Sequence, residues 1–154
     1  MIDFGRTVDL DNFEAAQTFI TDVKTDKHDC AEVREGRPWV YQPDYFGLAC
    51  IAHVLLFGKY LETQSSKDSQ TGQFRYSIKE PLKRYHQANL WNRFFDLLLN
   101  PTSFTNSDPA KPITHLLKES RHDMERWLES NSDKNGKSLK GLLKKLEIWA
   151  LSRH

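Results

Sequence analysis

The chain has 154 residues, 38% of them hydrophobic and 12% aromatic, enough apolar surface for one globular domain with its own core. That composition excludes fibrous, collagen-like and wholly disordered chains, and a formal net charge of +1 leaves no global field to draw the molecule to nucleic acid or an anionic membrane. No apolar run reaches the ~18 residues of a membrane span, the first residues lack a basic-then-apolar signal layout, and the two cysteines, Cys30 and Cys50, form no disulfide framework, so a reducing, intracellular compartment is expected.

Charge is spread unevenly. Residues 1–36 carry nine acids against four bases, a net of −5, whereas residues 134–154 carry six bases against Glu147 alone, a net of +5. The two ends can pair with each other or serve separate partners.

Residues 5–36 show little periodicity and close on Glu35-Gly36-Arg37-Pro38, which predicts an extended loop with at most short helical or strand pieces. Pro43 and Gly58 bracket Asp44 to Phe57, a run with almost no polar face, and a helix apolar all round is expected to be a buried central helix. Thr63 to Gln73 reads as a polar surface loop, and Phe74 to His86 as an aromatic stretch broken by Pro81. From Ala88 to Asn100 the apolar residues fall at three- and four-residue steps before Pro101, predicting an amphipathic helix. The same period recurs from Ile113 to Leu128 and, after the Asn135-Gly136 turn, from Leu139 to Ala150, so two helices should close the chain.

Asp3-Phe4-Gly5 is a cheap three-letter match by itself. In the protein-kinase signature set this tripeptide opens an activation segment closed by Ala-Pro-Glu. Here Cys30-Ala31-Glu32 stands 12 positions before Asp44, which heads the apolar helix. Arg37-Pro38-Trp39-Val40-Tyr41-Gln42-Pro43-Asp44-Tyr45-Phe46-Gly47, then Leu55-Leu56-Phe57-Gly58 and Leu90-Trp91-Asn92-Arg93-Phe94-Phe95, resemble the Bub family of mitotic-checkpoint kinases, its Bub-related branch in particular, over nearly the whole chain.

The resemblance implies a mainly α fold: the large, C-terminal lobe of a protein-kinase-like domain, a helical bundle around a buried central helix without the small lobe and catalytic loop. Residues 1–43 would be the activation segment and following loop, and 44–154 the helical part. Asp3 would coordinate Mg²⁺ in an intact kinase domain, a hard cation preferring carboxylate oxygen. Phe4 would pack inward, Gly5 would allow unusual backbone angles, Asp44 would accept hydrogen bonds from the catalytic loop, and Gly47 would let another segment approach closely. Kinases pair the closing Glu with an Arg after the helix corresponding to 88–100; here that place reads Asn100-Pro101-Thr102 with no Arg, leaving Glu32 paired elsewhere or solvated.

The Gly-rich loop, the strand lysine and the catalytic Asp and Asn are not among these residues, so this chain is expected to have no catalytic or cofactor-binding residues of its own, ATP and Mg²⁺ belonging to the parent protein. That parent is a checkpoint kinase or pseudokinase of cytoplasm and nucleus, at kinetochores in mitosis; the alternative is an active Ser/Thr kinase whose catalytic half lies elsewhere. The last predicted helix carries the stripe Leu139, Leu142, Leu143, Leu146 and Trp149, with Lys140, Lys144 and Lys145 off it. It either docks on the lobe or takes a partner, for which the resemblance implies a centromere-associated kinesin. No nucleic acid or membrane is expected, and a flank of the apolar helix left bare should favour self-association. His28 with Cys30 lacks the further ligands zinc needs, His115 and His122 read as surface residues, and Thr7, Thr18, Thr21 and Thr25 read as hydroxyls of an unmodified solvent-facing loop, the alternative being phosphorylation that recruits Arg34 or Arg37.

Overall fold

The computed structural model describes residues 7–21, 28–67, 72–83 and 87–130, in two units that divide between Thr114 and His115. Asp3, Phe4 and Gly5, and the whole stripe from Leu139 to Trp149 with its lysines, lie outside the described residues. The first unit runs α1 (Ala31–Arg34), α2 (Gln42–Phe57), β1 (Thr63–Lys67), β2 (Phe74–Ile78) and α3 (Ala88–Leu99); α4 (Thr114–Ser130) follows. No described helix is long and apolar enough to cross a membrane.

Residues 7–21 hold a short 3-10 turn at Leu10–Asn12, capped by the Asp9 carboxylate, which accepts from the Asp11 N–H at 3.2 Å. Their far end is tied down at Phe19, whose N–H and carbonyl both bond to Trp39 at 2.9 Å. Phe13 stacks edge-on against Phe19 at 5.0 Å, and Phe19 lies 5.4 Å from the Trp39 ring.

Pro43 sits at the start of α2, where its missing N–H has no intrahelical partner to lose. Gly58 ends the helix at φ +68°, its N–H returning to the Val54 carbonyl at 2.8 Å. Between these stops, Gln42, Phe46, Ala49, Ala52 and His53 are buried at helical spacing, and α3 packs on α2. The expectation of a helix buried on every side is corrected here: Leu48 is 41% exposed, Ile51 60% and Leu55 82%. Apolar periodicity marks what a residue is made of, whereas burial needs a covering element, and none of the described residues buries Leu48, Ile51 or Leu55.

Two side chains anchor the start of α2 to the loop before α4. The Gln42 amide accepts from the Val40 N–H at 2.7 Å and donates to the Pro109 carbonyl at 3.1 Å, while the Ile113 N–H donates to the Tyr45 hydroxyl at 3.1 Å. His53 is fully buried beside Phe57 and Phe95; its Nδ1 donates to the Lys59 carbonyl at 2.9 Å, and its Nε2 has no hydrogen-bond partner among the described residues.

The region read as a polar loop and an aromatic stretch is corrected to an antiparallel hairpin, with Thr63 opposite Ile78 and Lys67 opposite Phe74. Thr-Gln-Ser-Ser-Lys has no apolar alternation to announce a strand. Its partner β2 supplies the inward-facing Tyr76 and Ile78 and packs on α3. Asn100 clasps the two elements: its Nδ2 donates to the Tyr76 carbonyl at 2.8 Å, and its Oδ1 accepts from the Tyr76 N–H at 2.7 Å. One buried amide thus imitates a third strand. Asp96 on α3 adds an ion pair to Arg75 and accepts from the Asn100 amide at 2.8 Å.

Replacing Asn100 by Ala strands the buried N–H and carbonyl of Tyr76 together, so unfolding free energy in urea is expected to drop by about 2–4 kcal/mol. A loss below about 0.5 kcal/mol would mean that neither group depends on the clasp.

Candidate functional site

The turn that follows α1 is where the chemistry-bearing side chains converge. Glu32 lies on α1 at 3% exposure, packed with Ala31 and Val33. Gly36 at φ +64°, a conformation costly for a residue with a Cβ, turns the chain back so that the Arg37 N–H donates to the Glu32 carbonyl at 2.8 Å. The same turn sets the guanidinium 3.6 Å from the Glu32 carboxylate, and Arg37 Nε donates to Glu35 at 2.7 Å. Glu35 in turn accepts from the Tyr76 hydroxyl of β2. Glu32 is therefore paired elsewhere than in the kinase pattern and is not solvated, its cation coming from five residues along its own chain. Asn100, standing where an Arg was sought, clasps the hairpin instead.

Asp44 is exposed in the first turn of α2, where helix N–H groups favour a negative charge. Gly47 is open: a Cβ added there meets nothing within 4 Å. Glu32, Asp44 and Gly47 are thus distributed along α1 and α2 rather than gathered at one point. Of the four threonines, Thr7 and Thr18 are exposed, Thr25 lies outside the described residues, and Thr21 accepts a hydrogen bond from Trp39 Nε1 at 2.8 Å. Arg37, one of the two arginines that a phosphorylated threonine would recruit, is already held by two carboxylates.

A cleft of about 370 Å³ opens beside this network, lined by Glu35, Arg37, Phe74, Tyr76, Asn100 and Ser107 among others. Its walls carry both charges, amide groups and an aromatic face, a lining suited to a polypeptide segment. Sequence reasoning missed Glu35, Tyr76 and Asn100 as its members. The Glu35-Gly36-Arg37 turn was a readable signal, but the hairpin that brings Tyr76 to it was not.

Among the described residues, no three His, Cys, Asp or Glu side chains converge as a metal site. Fit to Mg²⁺ rests on Asp3, outside those residues. Cys30 is free and buried, and burial above all pushes its thiol up to about 12. Cys50, also free, has its thiol raised by burial.

A short helix bearing a buried Glu, a turn, and a long apolar helix headed by Asp define the large lobe of a protein-kinase-like domain. The solved BubR1 kinase domain is similar at a TM-score of 0.67 and 34% identity, over 85% of this chain and 36% of that one. No family model matches. The chain is 49% identical over 147 residues to the spindle assembly checkpoint serine/threonine-protein kinase bub1 of Schizosaccharomyces pombe, covering 96% of this chain and 14% of that protein. It is 39% identical over 128 residues to BUB1 of Saccharomyces cerevisiae, covering 83% and 12% respectively. The chain belongs to the Bub family of spindle-checkpoint kinases, as a stretch of its kinase domain.

Two measurements check this site. Arg37→Leu leaves the Glu32 carboxylate buried without its cation and is expected to cost about 1–3 kcal/mol, discounted because the guanidinium is partly exposed; adding Glu32→Gln should restore most of it, and purely additive losses would deny the coupling. The Cys30 thiol should resist alkylation in the folded chain and react in urea. Because an unfolded cysteine ionises near 8.5 while Cys30 does not, stability should be full below pH ~8.5 and fall as pH rises towards 12, by at most ~1.4 kcal/mol per unit. A Cys30→Ala chain should show a shallower alkaline fall.

Proposed function

We propose that this stretch is the protein-binding base of a mitotic Ser/Thr checkpoint kinase or pseudokinase and transfers no phosphate by itself, ATP and Mg²⁺ being engaged only in the longer protein. The observation that carries this reading is the fixed shelf at the end of the activation segment. Glu32, Arg37, Glu35, Tyr76 and Asn100 tie α1, the hairpin and α3 together and spend their charges on one another. That is a framework for presenting surface. Phosphoryl transfer needs groups aimed at a nucleotide, and it depends almost wholly on their positioning.

The proposed partner is a protein at kinetochores, a centromere-associated kinesin, taken up by Leu139, Leu142, Leu143, Leu146 and Trp149 with Lys140, Lys144 and Lys145 alongside. Aromatic and leucine anchors flanked by cations suit an acidic amphipathic segment. The alternative, a part of an active kinase, is favoured by the Asp3-Phe4-Gly5 tripeptide, whose carboxylate is the type of ligand Mg²⁺ takes.

With labelled ATP and Mg²⁺, this chain is expected to label neither itself nor a generic protein substrate, and transfer above the protein-free blank would overturn the non-catalytic reading. Leu142→Glu with Leu146→Glu should abolish capture of the kinesin while leaving circular dichroism unchanged; undiminished capture by the folded double variant would remove the leucine and tryptophan stripe from the role.

A further inference from the structure

Tyr76 is fixed at both ends. Its N–H and carbonyl are held by the Asn100 amide at 2.7 and 2.8 Å, and its hydroxyl donates across the fold to Glu35, in the turn after α1. Glu35 shares its carboxylate with Arg37, whose Nε donates to it at 2.7 Å and whose guanidinium stands 3.6 Å from Glu32. Arg37 precedes Pro38 and is confined to extended backbone, and the proline ring fixes φ at the next step. Little torsional slack therefore separates Arg37 from Trp39. Trp39 in turn exchanges both backbone bonds with Phe19 at 2.9 Å, and its Nε1 donates to the Thr21 hydroxyl at 2.8 Å. The links run from the end of α3 to residues 19–21, and they are bonds already made rather than a face left open. At their centre the Glu32 side chain is 4% exposed, so the further segments of a longer protein have almost none of it left to reach.

We propose that Tyr76 is a positioning residue for the activation segment: acting through Glu35 and Arg37, the hairpin hydroxyl sets how firmly Phe19 and Thr21 are held to the body of the lobe. This rests on the reading of residues 7–21 as part of the activation segment of a checkpoint kinase or pseudokinase. Arg37 faces two carboxylates, and its side chain settles between them only when Glu35 is itself held. The Tyr76 hydroxyl supplies that hold from an element 41 residues away. Without it, Glu35 is a carboxylate on an exposed turn with many rotamers, and Arg37 follows it. In kinases activity follows the order of this segment, so a hydrogen bond on the hairpin acts on catalysis from outside the nucleotide site.

The test is amide hydrogen exchange of Tyr76→Phe, which deletes one hydroxyl and keeps the ring and the Asn100 clasp. Exchange at Phe19 and Trp39 is expected to quicken about 2- to 10-fold, the loss of one modest hydrogen bond. Ile113→Val, a core change that lowers overall stability without touching these links, should leave both amides at the parent's rates. Arg37→Lys, a point charge in place of a fork, should give the same local loosening, and the double variant with Tyr76→Phe should fall short of the product of the two effects. Unchanged exchange at Phe19 and Trp39, equal quickening in Ile113→Val, or fully multiplicative effects would each overturn the proposal. In the longer kinase, Tyr76→Phe should raise KM for a protein substrate and leave KM for ATP unmoved; an unmoved protein KM would also overturn it. If the longer protein transfers no phosphate, the active-kinase reading falls and the exchange result alone decides the positioning role.

Discussion

A carboxylate cut off from water must have a cation beside it, and Glu32 obtains one from Arg37 by way of a single left-handed glycine. That requirement sets the direction of the chain leaving α1. Once Gly36 has turned it, Trp39 falls where it can exchange backbone bonds with Phe19, and Val40 where Gln42 can accept its N–H. The start of α2 is placed by the same turn. Through Glu35 and Tyr76 it also reaches the hairpin, and through Asn100 the end of α3. Because the partners are five residues apart, the loop they close costs little entropy, and the arrangement does not wait on distant segments.

The legible part of the fold was the part written in local pattern. Pro43 and Gly58 bracketed α2 to within a residue or two, Pro101 stopped α3, and the three-to-four spacing from Ile113 to Leu128 marked α4. β1 was illegible because Thr-Gln-Ser-Ser-Lys becomes a strand only by pairing with β2. Coverage was legible only in outline: a bare flank was expected, but not which residues would lie on it. The same leucines and isoleucine that read as core are solvent-facing on one flank of α2, since composition does not say which neighbour arrives.

The candidate site shows the same division. Glu32 and Asp44 were singled out by their twelve-residue spacing and Gly47 by resemblance, and the short helix before the long one stands where that spacing put it. The missing Arg after α3 pointed to a departure without showing its resolution. Arg37 was in plain view but was not matched to Glu32, because a salt bridge across a turn leaves no periodic trace. Asn100 and Tyr76, 24 residues apart, meet only once the hairpin has formed.

The hairpin has two strands, so β1 keeps one side of its backbone ladder open. Open ladders recruit other chains when their side chains are flat and oily. β1 carries hydroxyls, an amide and a terminal ammonium, and offers an intruding strand hydrogen bonds with nothing greasy to hold it. The blandness that hides this strand from pattern reading also makes it a poor template for a cross-chain sheet.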